Sequence, residues 1–251
     1  MTQLFISPHL DDVALSCGGY VHRLTGAGEE IVVASVCTAD LPRGLPLSPA
    51  ALNEHRQWQL GDTPYQLRCL EDDRAAARLK AAYVHMGLLD AIYRCDESDQ
   101  PLYEGKDFMA GAVHPVDWQY QYPALLDRLD QLLQTLAPQR IFCPLSAGGH
   151  VDHIIVRHAA EQLCSAGQVA YYEDYPYAQK DPAAIARALQ NPDAWRSTLV
   201  ELTPEEAEAR VAAVACYNSQ LSAVFGDAQA MPAMVREYIA STGGERYWER
   251  V

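Results

Sequence analysis

Two short segments hold most of the side chains in this chain that can do chemistry. Ser7-Pro8-His9-Leu10-Asp11-Asp12 stands near the N-terminus, and Gly148-Gly149-His150-Val151-Asp152-His153 stands far downstream. Together they offer three imidazoles and three carboxylates. Two His and one carboxylate with an open position form a common catalytic zinc ligand set. The remaining His and carboxylates are then free for acid–base work. His9 and Asp12, three residues apart across a strand-to-helix turn, can face one point while Asp11 projects differently. His150 and His153, three apart at a helix start, share one face. Asp152 lies between them and can hydrogen-bond an imidazole from behind, fixing its tautomer and raising its basicity. Each segment alone has a plainer reading, because Asp at a helix start is an ordinary N-cap and an isolated His-x-x-His more often than not holds no metal. Only their meeting at one place makes a site.

The elements around them supply that meeting. Each segment follows a short apolar run, Leu4-Phe5-Ile6 or Ile141-Phe142-Cys143, and opens a helical stretch. In open α/β sheets, ligands bind outside the carboxyl ends of the strands. Strand and helix signals alternate along the chain. Strands are expected at Leu4–Ser7, Ile31–Cys37, Tyr83–Met86, Arg140–Pro144, Val169–Tyr172 and Leu199–Leu202. Helices are expected at Val13–Leu24, 50–60, 69–82, Leu125–Leu136, Val151–Ser165 and 231–240. Thr203-Pro204-Glu205-Glu206 reads as an N-cap, a proline at the first helical position and a Glu at the third, opening a helix to about Tyr217. The alternation predicts an α/β fold: a Rossmann-like, mostly parallel sheet with helices on both faces, one domain over 1–251. Residues 93–123 break the rhythm as a polar, aromatic loop insertion, a feature either functional or a packing surface.

Composition narrows the function. The chain has 251 residues, 49% of them hydrophobic, enough for one large core. With 33 acidic and 19 basic residues the net charge is −14, and no basic run exists, which argues against nucleic acid and against an anionic membrane surface. No apolar run reaches spanning length, and no signal-peptide pattern is seen, so a cytoplasmic location is expected. The seven Cys are scattered without a CxxC pair, as buried free thiols would be. Cys17 and Cys143 lie near the two segments and read as packing residues ahead of ligands. His22, His55, His85, His114 and His158 lack ligand-spaced neighbours and read as surface or packing residues.

The pairing of Pro-His-x-Asp-Asp with His-x-Asp-His resembles the LmbE-like/PIG-L family of zinc-dependent N-deacetylases, which act on N-acetylglucosamine conjugates and related amino sugars. Arg68-x-x-Glu71-Asp72-x-x-Ala75, Gly87-Leu88-Leu89-Asp90, Tyr171 through Tyr177 and Tyr217-Asn218-Ser219-Gln220 are similar to that family as well, so the resemblance spans about residues 3–220. It implies that His9, Asp12 and His153 bind Zn2+, with Fe2+ as the alternative ion. It implies Asp11 as general base, His150 as the group that polarises or protonates at the substrate carbonyl, and Asp152 as the carboxylate that tunes His150. A homo-oligomer is implied too. Leu10 and Val13 stand where the family often has Pro and Glu. Gly148 stands where some members carry a tyrosine, so an oxyanion-assisting tyrosine must come from elsewhere, with Tyr93, Tyr120 and Tyr177 the candidates. Substrate contacts are expected from Asp90, on a sugar hydroxyl, from Arg68, and from Trp118 with Tyr103 and His114, as a pocket wall or a contact to a neighbouring subunit's pocket.

The reaction expected is hydrolysis of an N-acetyl or other N-acyl group on a small amino-sugar conjugate. The alternatives are an amidase acting on a sugar–thiol or glycopeptide conjugate, and a non-catalytic sugar-binding protein of the same fold. The six filled motif positions speak against the second. A Rossmann-type nucleotide binder is disfavoured because no G-x-G-x-x-G follows the first strand.

Overall fold

The computed structural model describes residues 1–41, 44, 47–61, 63–181 and 183–251. A seven-stranded sheet in the order β3-β2-β1-β4-β5-β7-β6 runs through it. Its strands are β1 (Thr2–Ser7), β2 (Glu30–Cys37), β3 (Ala82–Leu88), β4 (Arg140–Pro144), β5 (Val169–Tyr172), β6 (Trp195–Val200) and β7 (Glu245–Arg250). The β3-β2-β1-β4-β5 part is parallel, as expected. β7 runs antiparallel to both β5 and β6. The central strands are buried on both faces, which is why Leu4-Phe5-Ile6 and Ile31–Val36 read as unbroken apolar runs.

Helices cover both faces. The long ones are α1 (Asp12–Gly26), α2 (Pro49–Trp58), α3 (Pro64–Leu79), α5 (Gln121–Leu136), α6 (Val151–Leu163), α9 (Pro204–Val214), α10 (Asn218–Phe225) and α11 (Met231–Thr242). The short ones are α4 (Pro115–Gln119), α7 (Tyr177–Lys180) and α8 (Ala183–Leu189). One apolar layer contains Phe5, Val33, Phe142 and Tyr172 on one side of the sheet. The opposite layer contains Leu4, Ile6, Ile141 and Ile155. The alternating faces of β1 and β4 thus feed two cores. Among the described residues no helix is long and apolar enough to cross a membrane.

The strand order reverses direction between β1 and β4, because β2 and β3 lie to one side and β5 to the other. Such a switch point opens a crevice at the strands' carboxyl ends. The two motif segments follow β1 and β4, so the topology itself brings them together.

Two differences from the expected elements are informative. Glu245–Arg250 pairs as a full strand although its sequence, Glu-Arg-Tyr-Trp-Glu-Arg, is mostly charged. It is held from its first residue. The buried Glu245 carboxylate accepts from the Gly19 N–H at 2.9 Å and the Tyr20 N–H at 3.0 Å, and pairs with the buried Arg210 at 3.3 Å. α1 can approach that closely because Gly18 and Gly19 carry no side chain; a Cβ on Gly19 would collide with Leu202. The other is α10, a short apolar helix absent from the expectation. The Thr203–Glu206 capping box forms as read.

Removing one partner of a buried ion pair leaves a charge without compensation and typically costs about 3–5 kcal/mol. Glu245→Ala is therefore expected to lower unfolding free energy by about that amount, measured by urea titration. Its loss should exceed that of Arg236→Ala, which breaks an exposed pair with Glu208. Equal effects would show that β7 is held by its ladder alone.

Candidate active site

Ser7 begins the first turn. Its hydroxyl donates to the His9 carbonyl at 2.5 Å and accepts from the Val13 N–H at 3.1 Å, bending the chain out of β1 and into α1. The His9 N–H donates to Asp12 Oδ2 at 2.7 Å. That same oxygen lies 3.2 Å from His9 Nδ1 and 3.3 Å from His153 Nε2. One nitrogen or oxygen from each of the three groups falls within 4.8 Å of the others. His153 Nε2 is buried and without a hydrogen-bond partner, the condition of a nitrogen that serves as a ligand. Two imidazoles and a carboxylate suit Zn2+ or Fe2+, so the residues fit a divalent ion.

Both rings are held from behind. His153 Nδ1 meets Asp174 Oδ1 at 2.6 Å, and Asp174 Oδ2 accepts from the Ala147 N–H at 3.0 Å. His9 Nε2 meets Asp152 Oδ2 at 3.2 Å. Such carboxylates fix the ring orientation and raise ligand basicity. Burial disfavours the His153 cation, but Asp12 and Asp174 outweigh it and push its pKa up to about 9. A pair of carboxylates that attracts a proton this strongly attracts a metal cation as well.

Asp152 was expected to tune His150. It lies nearer to His9 than to His150, whose Nδ1 is 3.8 Å away. The correction follows from the helix: His150 is the N-cap of α6, and its Nδ1 accepts from the Asp152 N–H at 3.2 Å. That contact points the Asp152 side chain across to β1. There it also accepts from the Ala91 N–H at 3.1 Å and pairs with Arg94 at 2.6 Å. Burial works against the Asp152 anion, yet Arg94 and then His9 hold its carboxyl well below the usual range.

His150 itself is kept neutral, first by burial and then by the neighbouring His9. With Nδ1 accepting, the neutral ring carries its proton on Nε2. Asp11 behaves oppositely to Asp12. Burial, and then the Asp12 charge, raise its pKa, while the Arg68 guanidinium 3.5 Å away lowers it. Asp12 is held well below the usual carboxylate range despite burial, chiefly by His153. Two adjacent carboxylates therefore have different proton affinities, as a base and a ligand would.

A cleft of about 290 Å³ opens over these groups. His9, Asp11, Asp12 and His150 form its floor, and Trp58, Arg68, Asp90, Phe108 and Tyr177 are among its walls. Arg68 is buried with its guanidinium 4.5 Å from the Trp58 ring and 4.9 Å from the Tyr65 ring. Asp90 accepts from the Tyr65 hydroxyl and from the Ile92 N–H, so its oxygens reach the cleft already engaged. Of the three tyrosines, Tyr177 sits nearest the floor, its ring 5.8 Å from that of His153. It occupies the space over Gly148, where a Cβ would run into its ring carbons. Tyr93 is turned to His55, and Tyr120 is exposed beside Glu97.

Trp118 is not a wall of this cleft. Its indole packs on Tyr122 of α5 and His158 of α6, at 5.1 and 5.2 Å. Tyr103 and His114 are displaced for a different reason. The Tyr103 hydroxyl donates to Asp117 at 2.6 Å, and Asp117 pairs with Arg94 at 3.2 Å. The 93–123 segment thus buries a chain of polar groups that ends on Asp152, while its Lys106, Phe108 and Met109 reach the cleft. Cys17 and Cys143 are buried in apolar layers. The thiol near the ligands is Cys37, grouped with His9 and Asp152.

This fold is that of a deacetylase family: residues 4–164 match the PIG-L family, described as GlcNAc-PI de-N-acetylase, and the chain belongs to it. It is 28% identical over 197 residues to a 2'-N-acetylparomamine deacetylase of Streptomyces fradiae, covering 74% of this chain and 62% of that protein's length. It is also 28% identical over 240 residues to a 2'-N-acetylparomamine deacetylase of Niallia circulans, covering 89% of this chain and 82% of that protein. Among solved structures, the zinc-inhibited form of teicoplanin deacetylase Orf2 superposes with a TM-score of 0.84 at 26% identity, covering 100% of this chain and 98% of that one.

Asp174 ligates nothing in this arrangement, yet it orients His153. Asp174→Ala is expected to weaken divalent-metal affinity about ten- to a hundredfold, measured by competition with a chromogenic chelator. Unchanged affinity would show that packing alone orients the ring.

Proposed function

We propose that this chain hydrolyses an N-acetyl, or a related N-acyl, group on an amino-sugar conjugate. The observation that carries the reading is the convergence of His9, Asp12 and His153 beneath one cleft with Asp11 and His150 beside them. Membership of a deacetylase family, and deacetylase relatives that act on acetylated amino sugars by their names, support it.

His9, Asp12 and His153 would hold the metal, Zn2+ first and Fe2+ as the alternative. When bound, it polarises the amide carbonyl and lowers the pKa of a water to about 7. Asp11 accepts the proton of the attacking water. Its raised proton affinity suits it to that step, and Arg68 keeps it ionised beforehand. His150, neutral and protonated on Nε2, donates to the carbonyl oxygen as negative charge develops there. One such donor is worth about a hundred- to a thousandfold in rate. Asp11 then returns its proton to the departing nitrogen, and a carboxylic acid and a free amine leave. Tyr177, at the edge of the same floor, closes the cleft over Gly148.

Acetate release from a panel of N-acetylated amino sugars, followed by mass spectrometry with and without chelator, tests the reading. Chelation should abolish turnover, and Zn2+ or Fe2+ should restore it. Asp11→Asn should keep its metal and lose about a hundred- to ten-thousandfold in kcat. Asp12→Ala should instead lose metal. Metal loss confined to Asp11→Asn would reverse the two roles, and full turnover by metal-free protein would sink the mechanism.

A second expectation concerns the walls. Phe108→Ala, which strips a cleft side chain packed 5.1 Å from His150, should raise KM several-fold. Trp118→Ala should leave KM unchanged and lower thermal stability. A KM effect from Trp118 and none from Phe108 would place the sugar on the other side of the 93–123 segment.

A further inference from the structure

A second cavity, of about 790 Å³, is lined by the Ser146–Gly149 turn and by α6 and α8, and shares Met109 with the catalytic cleft. It is larger than the first, and its volume is that of a small-molecule site. Its lining is unusual for a chain of net charge −14, because Arg157, Arg187 and Arg250 all face it.

Two of these arginines are fixed. Arg157 donates from Nε to Glu161 at 3.0 Å and from Nη1 to the Leu145 and Ala188 carbonyls at 2.8 and 3.0 Å. Its guanidinium lies 5.3 Å from both the Tyr171 and the Trp195 ring centres. Those contacts engage Nε and Nη1, on different edges of the guanidinium, and leave Nη2 without a partner among the described residues. Arg250 reaches the same Glu161 oxygen at 2.8 Å and lies 4.9 Å from the same Trp195 ring. Two guanidinium groups therefore converge on one carboxylate oxygen, and one positive charge stays uncompensated. Arg187 adds a third guanidinium, paired with Asp181 outside the lining.

An independent feature lies at the other wall. Ser146 is more than nine-tenths buried, and its Oγ has no hydrogen-bond partner. A buried hydroxyl left unpaired costs about 1–3 kcal/mol, and its backbone is left-handed, with φ 63°, which a non-glycine residue adopts only at a cost. Ser146 lines the cavity, so a bound molecule would lie against this turn. Preorganised guanidinium forks are the residue type that best matches a tetrahedral oxyanion.

We propose that this cavity is a binding site for a small phosphate monoester, the phosphate on Arg157, Arg187 and Arg250 and the esterified body filling the space towards Ser146. The site is separate from hydrolysis and does not depend on the proposed activity.

Isothermal titration of the full chain with inorganic phosphate and with glucose 6-phosphate tests it. Both should bind, the ester more tightly, and affinity should fall as salt rises. Phosphate can also reach the His9, Asp12 and His153 cluster, so the titration is repeated in Asp12→Asn. Binding should survive Asp12→Asn and weaken at least tenfold in the Arg187→Ala/Arg250→Ala double variant. Both arginines are about half exposed or more, and unchanged melting without phosphate confirms folding; Arg187→Gln alone serves if the double variant melts early. No heat at millimolar ligand, equal affinity in the arginine variants, or binding lost only in Asp12→Asn would overturn the proposal.

Discussion

Burying negative charge is the constraint around which this molecule is organised. Asp11, Asp12, Asp90, Asp152 and Asp174 all lie within one crevice and are all buried. An ionised carboxylate removed from water is stable only if paired and hydrogen-bonded. Each has a distinct remedy here. Asp12 has two imidazoles, Asp152 has Arg94 and a backbone N–H, Asp174 has His153 and a backbone N–H, and Asp90 has a phenol and a backbone N–H. Asp11 has Arg68, at 3.5 Å, and burial raises its proton affinity. Its position beside the ligands suits it to proton transfer. A divalent ion between His9, Asp12 and His153 would complete the balance.

The same constraint explains the 93–123 segment. Arg94 is its first charged residue, and it carries compensation from outside the sheet into the site. Asp117 and Tyr103 then balance Arg94 in turn. A long irregular segment in a compact domain must find partners for its own backbone, and this one does so while bracing a ligand's carboxylate. Its aromatic residues serve that bracing and the neighbouring helices more than they serve a sugar face.

Much of the fold and the heart of the site were legible in the sequence, and the reasons are physical. Doubly covered strands produce unbroken apolar runs, so β1, β2, β4 and β5 could be placed within a residue or two. The residues at the ends of β1 and β4 meet because the switch point lies between them, and their types announce their chemistry. What escaped has no local signature. Asp174 sits in a tyrosine-rich stretch where one carboxylate looks like any other, and only the return of β5 brings it under His153. Arg94 was invisible for the same reason. That Asp152 also braces His9 could not be read from sequence proximity, which favours His150; the N-cap geometry of α6 brings its carboxylate nearer to His9. That Trp118 is no wall of this chain's own cleft could not be read from composition, which cannot say which way a loop faces. β7 carries alternating charge that resembles a solvated tail, and its strand state is imposed by Glu245 and by two neighbours.

That last strand has a consequence for how the molecule is made. Among the described residues β6 is the outermost strand on its side and pairs only with β7, which wedges between it and β5. During synthesis β6 emerges well before its neighbour, and the open side of β5 waits for it too. Until residues 245–250 arrive, two strand flanks present unpaired amides to solvent or to another nascent chain, a known route to misassembly. Between them the ribosome delivers three helices, α9, α10 and α11, and the packing of α9 on α1, α10 on α2 and α11 on α9 can proceed without the sheet being closed. Closure then comes as a late zippering event, latched when a single glutamate finds two backbone amides of the first helix.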